Sequence, residues 1–264
     1  MLLNKKLISN YLNPTTLKII QAIHIEDSIT STNDILSNEI KSNPQKIIAL
    51  FAEEQTEGRG RLGRPWISPK NKNIYFSLSW HFNKPVSELS GLSLAVGIAL
   101  IYALKKITPF EKTKIKWPND ILFNDKKLAG ILIETVPRKT SCSVIIGIGL
   151  NVNLQSDETK KIDQPWTSLS QITHTQHDRN LIAASLLNAL CDVLPEFEKN
   201  GLLNFMDDWK KHDALFGKHC DNTGAQKKSG IVVGINLSGE LLLKTDNKIE
   251  AVSAGEIGSA RQPL

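Results

Sequence analysis

Apolar and polar positions alternate along residues 74–80. Ile74, Phe76, Leu78 and Trp80 share one face, and Tyr75, Ser77 and Ser79 share the other. That period of two predicts a strand. KIIALFAEEQ (46–55), an apolar run ending in polar residues, reads as a buried strand. Residues 15–23 predict a short helix, and HIEDSITSTNDIL (24–36) opens a second one. Residues 87–106 are apolar almost all round, with Ser87 as the expected N-cap, which describes a buried helix. TKIKW, KKLAGILIET and SVIIGIGLNVN then predict three strands. Pro118-Asn119-Asp120, Asn124-Asp125 and Pro137 supply turn chemistry between them, so an antiparallel meander is expected.

In the last of these strands Val144, Ile146, Ile148, Leu150 and Val152 make a core face. The opposite face carries Ile145, Gly147, Gly149, Asn151 and Asn153. Glycines there let a ligand, or equally a packed helix, approach the backbone. An amphipathic helix runs from Asp178 to about Asn200, interrupted at Pro195, and another spans 202–215. Beyond Gly217 the texture changes to short β segments with turns, the pattern of a small all-β barrel. The expected organisation is therefore α+β, with domains at 1–215 and 216–264.

The chain has 264 residues, 41% hydrophobic and 22% charged, enough for a sizeable core. Its net charge of +5 says little about partners. Cys142, Cys191 and Cys220 are odd in number and form no CxxC pair, which points to free thiols in a reducing compartment. The N-terminus lacks the pattern of a signal peptide, and the most apolar run, 95–104, is too short to span a bilayer. The expectation is a cytoplasmic protein without a membrane partner.

Gly58-Arg59-Gly60-Arg61-Leu62-Gly63 matches the letters of a dinucleotide fingerprint, but Pro65, Pro69 and KNKN follow where a helix is required. A P-loop fails too, because Arg64-Pro65 stands in place of Lys-Ser/Thr. What remains is a glycine–arginine loop between two strands. Its backbone N–H groups and guanidinium forks suit an anion such as phosphate. Lys127 begins an apolar strand with Gly130 three residues on, a position from which its ammonium can enter a site. Ser31-Thr32-Asn33-Asp34 reads as a helix N-cap whose hydroxyls and amide can also hold a polar ligand. GxSxG and HExxH are absent. His174, His177, His212, His219 and Cys220 do not form a zinc spacing, so no side-chain metal set is assigned.

STN (31–33), EEQTEGRGRLGRPW (53–66), KWPND (116–120), KKLAGILIE (126–134) and GIGLNVN (147–153) together resemble the biotin–protein ligase family in order and spacing. The resemblance implies a mixed, largely antiparallel sheet of the class II aminoacyl-tRNA synthetase type, with a C-terminal SH3-like barrel. It implies that ATP with Mg²⁺ activates biotin to biotinyl-5′-AMP, and that biotin passes to a lysine of a biotin carboxyl carrier protein. Ser31, Thr32 and Asn33 would line the biotin ureido end, with Gln55 beside them. Gly58, Arg59, Gly60, Arg61 and Arg64 would form the loop that closes over biotin and its adenylate. Trp66 would wall the adenine side. Lys116, Trp117, Asn119 and Asp120 would face the nucleotide and its Mg²⁺. Lys127 would contact the biotin carboxylate and the α-phosphate, with Gly130, Gly149 and Asn151 on the floor. Lys127, Arg59 and Arg61 are the catalytic candidates.

Bifunctional members of the family carry an N-terminal winged helix of about sixty residues. Only thirty residues precede Ser31 here, so a monofunctional ligase without sequence-specific DNA binding is expected. A strand edge near 144–154 would permit a side-by-side homodimer. The rival readings are a lipoate or octanoate ligase of the same fold, and a nucleic-acid-binding module built on the basic loop.

Overall fold

The computed structural model describes all residues except 106, 109, 156–161, 224–226, 247, 256 and 262–264. The apolar runs pair into a seven-stranded sheet. Its strands are β1 (Ala22–Glu26), β2 (Ile48–Ala52), β3 (Ile74–Phe82), β4 (Thr113–Lys116), β5 (Asp120–Phe123), β6 (Lys126–Pro137) and β7 (Cys142–Leu150). The order is β1-β2-β3-β7-β6-β5-β4. Only β1 and β2 run parallel; every other neighbour is antiparallel, as hairpin connections between short strands allow.

The helices are α1 (Lys5–Asn10), α2 (Pro14–Ile19), α3 (Thr32–Ser42), α4 (Leu92–Leu104), α5 (Leu169–Thr173), α6 (Arg179–Asn200) and α7 (Met206–His212). The period of two sorts the sheet's side chains between two layers. Ala49, Phe51, Phe76, Leu78, Val144 and Ile146 face the large core, which includes α4 and α6. Ile48, Leu50 and Ile145 face the other way and bury Leu36 and Ile40 of α3. α4 has no polar face because it is buried nearly all round. α6 is long and apolar enough to cross a membrane by length and composition, but most of its apolar side chains belong to the core.

Residues after α7 form a second, antiparallel sheet: β8 (His219–Asn222), β9 (Lys228–Ile235), β10 (Leu241–Lys244), β11 (Ile249–Val252) and β12 (Ile257–Arg261), ordered β11-β10-β9-β8-β12. It docks by a turn. Gly239, at φ +73°, lies so close to Gly91, at φ +83°, that a Cβ on Gly239 would sit 2.6 Å from the Gly91 Cα. Trp117 Nε1 donates to Gly239 O at 2.9 Å, and Ser90 Oγ donates to Ser238 O at 2.5 Å.

Several local expectations change. α4 starts at Leu92 with Gly91 as its cap, and Ser87 lies in a separate 3₁₀ turn, Val86–Glu88. Pro195 does not interrupt α6, which is continuous to Asn200. The second C-terminal helix is shorter than 202–215, since a 3₁₀ turn precedes α7. The meander has four strands, because Asp120–Phe123 pairs with both β4 and β6. His24, Ile25 and Glu26 lie in β1 instead of leading into a helix. The edge expected near 144–154 is absent: β7 sits between β3 and β6. The sheet's edge strands are β1 and β4, and β6 also runs on past its pairing with β5.

Candidate active site

The sheet's polar face opens into a cleft of about 400 Å³. α3 enters it N-terminus first. Ser31 caps the helix by accepting the Asp34 N–H at 3.4 Å, which leaves Thr32 and Asn33 in the first turn, against the sheet. The Thr32 N–H and hydroxyl both meet Gln55 Oε1, at 2.8 and 3.0 Å. Ser77 Oγ of β3 lies 2.7 Å from Thr32 Oγ1 and 2.5 Å from Asn33 Oδ1. Gly147 is what admits Asn33: a Cβ there would stand 2.2 Å from its Oδ1.

The glycine–arginine loop folds back on itself. Trp66 N–H donates to Gly58 O at 2.8 Å, Gly60 N–H donates to Arg64 O at 2.7 Å, and Arg59 bridges Pro65. A Cβ at Gly58 would meet Trp66 O at 2.8 Å, so this stem requires glycine. Leu62 at the tip is in the left-handed region, φ 56°, and exposed. Arg59 donates to Asp34 and, at 2.8 Å, to Glu134 Oε1. The hydrogen bonds to those two carboxylates hold its guanidinium charged, well above its ordinary range. Arg61 donates to Gly255 O at 3.0 Å and to Asn119 Oδ1 at 3.4 Å.

The Trp66 ring lies flat on the sheet over two glycines. Added Cβ atoms at Gly149 and Gly130 would fall 2.3 and 2.9 Å from ring carbons. Lys127 Nζ stands 5.3 Å above the same ring and 2.9 Å from Asp120 Oδ1. Its main chain is fixed by two bonds to the 165–167 segment: Lys127 N–H to Pro165 O and Thr167 N–H to Lys127 O, both 2.9 Å.

Of the residues singled out from sequence, Ser31, Thr32, Asn33, Gln55, Arg59, Gly60, Arg61, Arg64, Trp66, Lys116, Trp117, Asn119, Asp120, Lys127, Gly130 and Gly149 line this one cleft. Gly58 lies in the loop's stem. Asn151 does not face the cleft. It is buried, accepts from Asn73 Nδ2 at 3.3 Å and donates to Thr167 O at 3.1 Å. It thus braces the segment that pins Lys127 from behind.

Sequence reasoning missed Leu132 and Gln164, and also Thr223 and Ile257, which the C-terminal segment contributes to the cleft; Gly147, on the glycine face read from the sequence, lines it as well. Glu134 and Asp34 were missed as partners of Arg59. The alternation Gly130, Leu132, Glu134 along β6 could have flagged Glu134.

A helix N-terminus, a cationic loop, a partly buried lysine and an aromatic platform around one cleft define a site that handles anions. Residues 26–151 match the biotin/lipoate A/B protein ligase family, and residues 216–257 match the biotin protein ligase C-terminal domain. The bifunctional ligase/repressor BirA of Escherichia coli is 34% identical over 261 residues, covering 97% of this chain and 78% of its own. The biotin–[acetyl-CoA-carboxylase] ligase of Mycobacterium tuberculosis is 33% identical over 233 residues, 86% of this chain and 85% of its own. The Aquifex aeolicus biotin protein ligase, solved in complex with biotin and ATP, superposes with a TM-score of 0.76 at 30% identity. That alignment covers 92% of this chain and all of that one. The chain belongs to the biotin–protein ligase family and is an enzyme of the ligase class.

Proposed function

We propose that this enzyme joins biotin and ATP into biotinyl-5′-AMP and transfers the biotinyl group to a lysine of a biotin carboxyl carrier protein. The observation that carries this reading is the cleft itself. One end offers the hydroxyl and amide groups of Ser31, Thr32, Asn33 and Gln55, suited to a ureido head, which both donates and accepts hydrogen bonds. The other end offers Lys127, Arg61 and Arg64, suited to phosphate and carboxylate. The biotin carboxylate attacks the α-phosphorus and pyrophosphate leaves. A carrier lysine then attacks the acyl carbon and AMP departs.

Two anions must meet in the first step, so preorganised cations are the chief means of lowering its barrier. Lys127 serves the developing charge from the sheet, and Arg61 from the loop. The loop's stem lets it fold over the adenylate and keep water from the anhydride. Trp66 walls the adenine against its glycine floor. Among the described residues no three carboxylate, histidine or cysteine side chains gather around a metal point. A Mg²⁺ ion fits here only as Mg²⁺ is usually held, by substrate phosphates with one carboxylate, Asp120. Three buried free thiols accord with work in the cytoplasm.

The test is ATP–pyrophosphate exchange with biotin, lipoate and octanoate supplied separately. Exchange with biotin alone is expected. Exchange with lipoate or octanoate in its place would move the protein to the sister activity.

A narrower expectation concerns the floor. Gly149→Ala drives the Trp66 ring off the sheet, because a methyl group cannot share space with ring atoms at 2.3 Å. The variant is expected to fold normally by circular dichroism yet raise the KM for ATP by about tenfold, the effect of losing roughly one aromatic stacking contact. An unchanged KM would remove Trp66 from the nucleotide side.

A further inference from the structure

Glu134 sits where β6 passes the head end of the cleft, on the same face as Gly130 and Leu132. Its two carboxylate oxygens serve two different parts of the site. Oε2 accepts from Asn33 Nδ2 at 2.7 Å, and Oε1 accepts from Arg59 at 2.8 Å. The second Arg59 donor goes to Asp34, in the first turn of α3. Arg59 is also the stem of the glycine–arginine loop, through its bridge to Pro65. A continuous chain of bonds therefore runs from the amide of Asn33 through one carboxylate to the loop.

The pairing also divides the arginines by task. Arg59 has two anionic partners, so it holds little net charge for an incoming phosphate. Arg61 instead bonds Gly255 O and Asn119 Oδ1, nearer the nucleotide end.

We propose that Glu134 is a positioning residue that couples occupancy of the head pocket to the posture of the loop, with Arg59 as the anchor through which it acts. The inference rests on the reading of Asn33 as a biotin contact. A ureido group that bonds Asn33 fixes the amide, the amide fixes Glu134, and Glu134 fixes the loop stem before ATP is engaged. Asp34 braces the same guanidinium from the helix. Without Glu134 biotin still finds the pocket, but its binding no longer orders the loop.

The experiment is a double-mutant cycle of Glu134→Gln and Arg59→Gln, read by pyrophosphate exchange over a range of biotin concentrations. Trypsin cleavage after Arg61, which Leu62 follows, is followed in parallel, with and without biotin. Wild-type exchange with biotin comes first, since its failure would remove the underlying function and not this coupling. Given that, Glu134→Gln is expected to raise the KM for biotin about tenfold, as loss of one charge-assisted bond does, with kcat within about threefold. The double variant should be no worse than Arg59→Gln, because both changes break one chain. Biotin should slow trypsin in the wild type and not in Glu134→Gln. Losses that multiply in the double variant, a KM within twofold of wild type, or biotin protection that survives the substitution would overturn the proposal. Asp34→Asn, at a half-exposed position, provides the same readout should Glu134→Gln fold poorly: a smaller KM increase of the same sign supports the anchor, and none refutes it.

Discussion

Lys127→Ala is expected to lower biotin-dependent pyrophosphate exchange by about 10²–10³-fold, the range seen when one preorganised charge-stabilising group is removed. The protein should stay folded, with the melting temperature lowered by several degrees. The side chain is 17% exposed and pairs with an Asp120 that is 20% exposed, and removing one partner of a largely buried pair leaves the other charge uncompensated. What the fold uses at this position is the main chain, tied to Pro165 and Thr167, and alanine keeps it. Exchange and calorimetry on the same sample check both halves. Exchange within tenfold of wild type would assign the principal cation to Arg61 instead.

The largest expected effect on stability lies away from the chemistry. Arg179 is 1% exposed and pairs with Glu53, at 5%, across 2.5 Å. It also donates to Asn73 O at 3.0 Å and Met1 O at 2.9 Å. Glu53 in turn accepts the Leu3 N–H at 2.6 Å. Arg179→Met strands a buried carboxylate, which costs about 3–5 kcal/mol. For a chain of this size that corresponds to a fall in Tm of roughly 10 °C. Removing both charges, Arg179→Met with Glu53→Leu, is expected to recover much of the loss, because the desolvation penalty disappears with the pair. A single variant within 3 °C of wild type would mean that water reaches Glu53.

The sheet's long strands were legible because their alternation is long: β3 and β7 each span nine residues and hold one apolar face throughout. β5 was not. Its four residues sit between two turn signals, and turn chemistry outweighs period over so short a run. β1 was hidden because its pairing with β2 joins residues 26 apart, a long-range contact with no local trace. Pro195 misled because a proline's missing N–H is a local signal, whereas the burial of α6 against the core is a tertiary one. In the site, the groups with unusual local chemistry, the Gly/Arg loop, Lys127 and the Ser31 cap, could be picked out in the sequence. Glu134 was legible only through the alternation along β6, and Thr223 not at all, since its place at the cleft exists only once the C-terminal segment is folded. Asn151 shows the converse: a polar residue beside glycines turned out to brace the site from outside it.

The seam at Gly91 and Gly239 also bears on modularity. Two backbones meet there with no room for side chains, and Leu202 closes the remaining space. Attachment of the small sheet is therefore written in main-chain shape as well as in the side chains of Trp117, Ser90 and Leu202 that meet its turn. A foreign barrel grafted onto this catalytic body would have to present the same left-handed turn at the same height. Surface redesign of its side chains would not substitute for that. Conversely, the outward faces of the small sheet are free to drift in sequence without loosening it, so long as that one turn keeps its glycine.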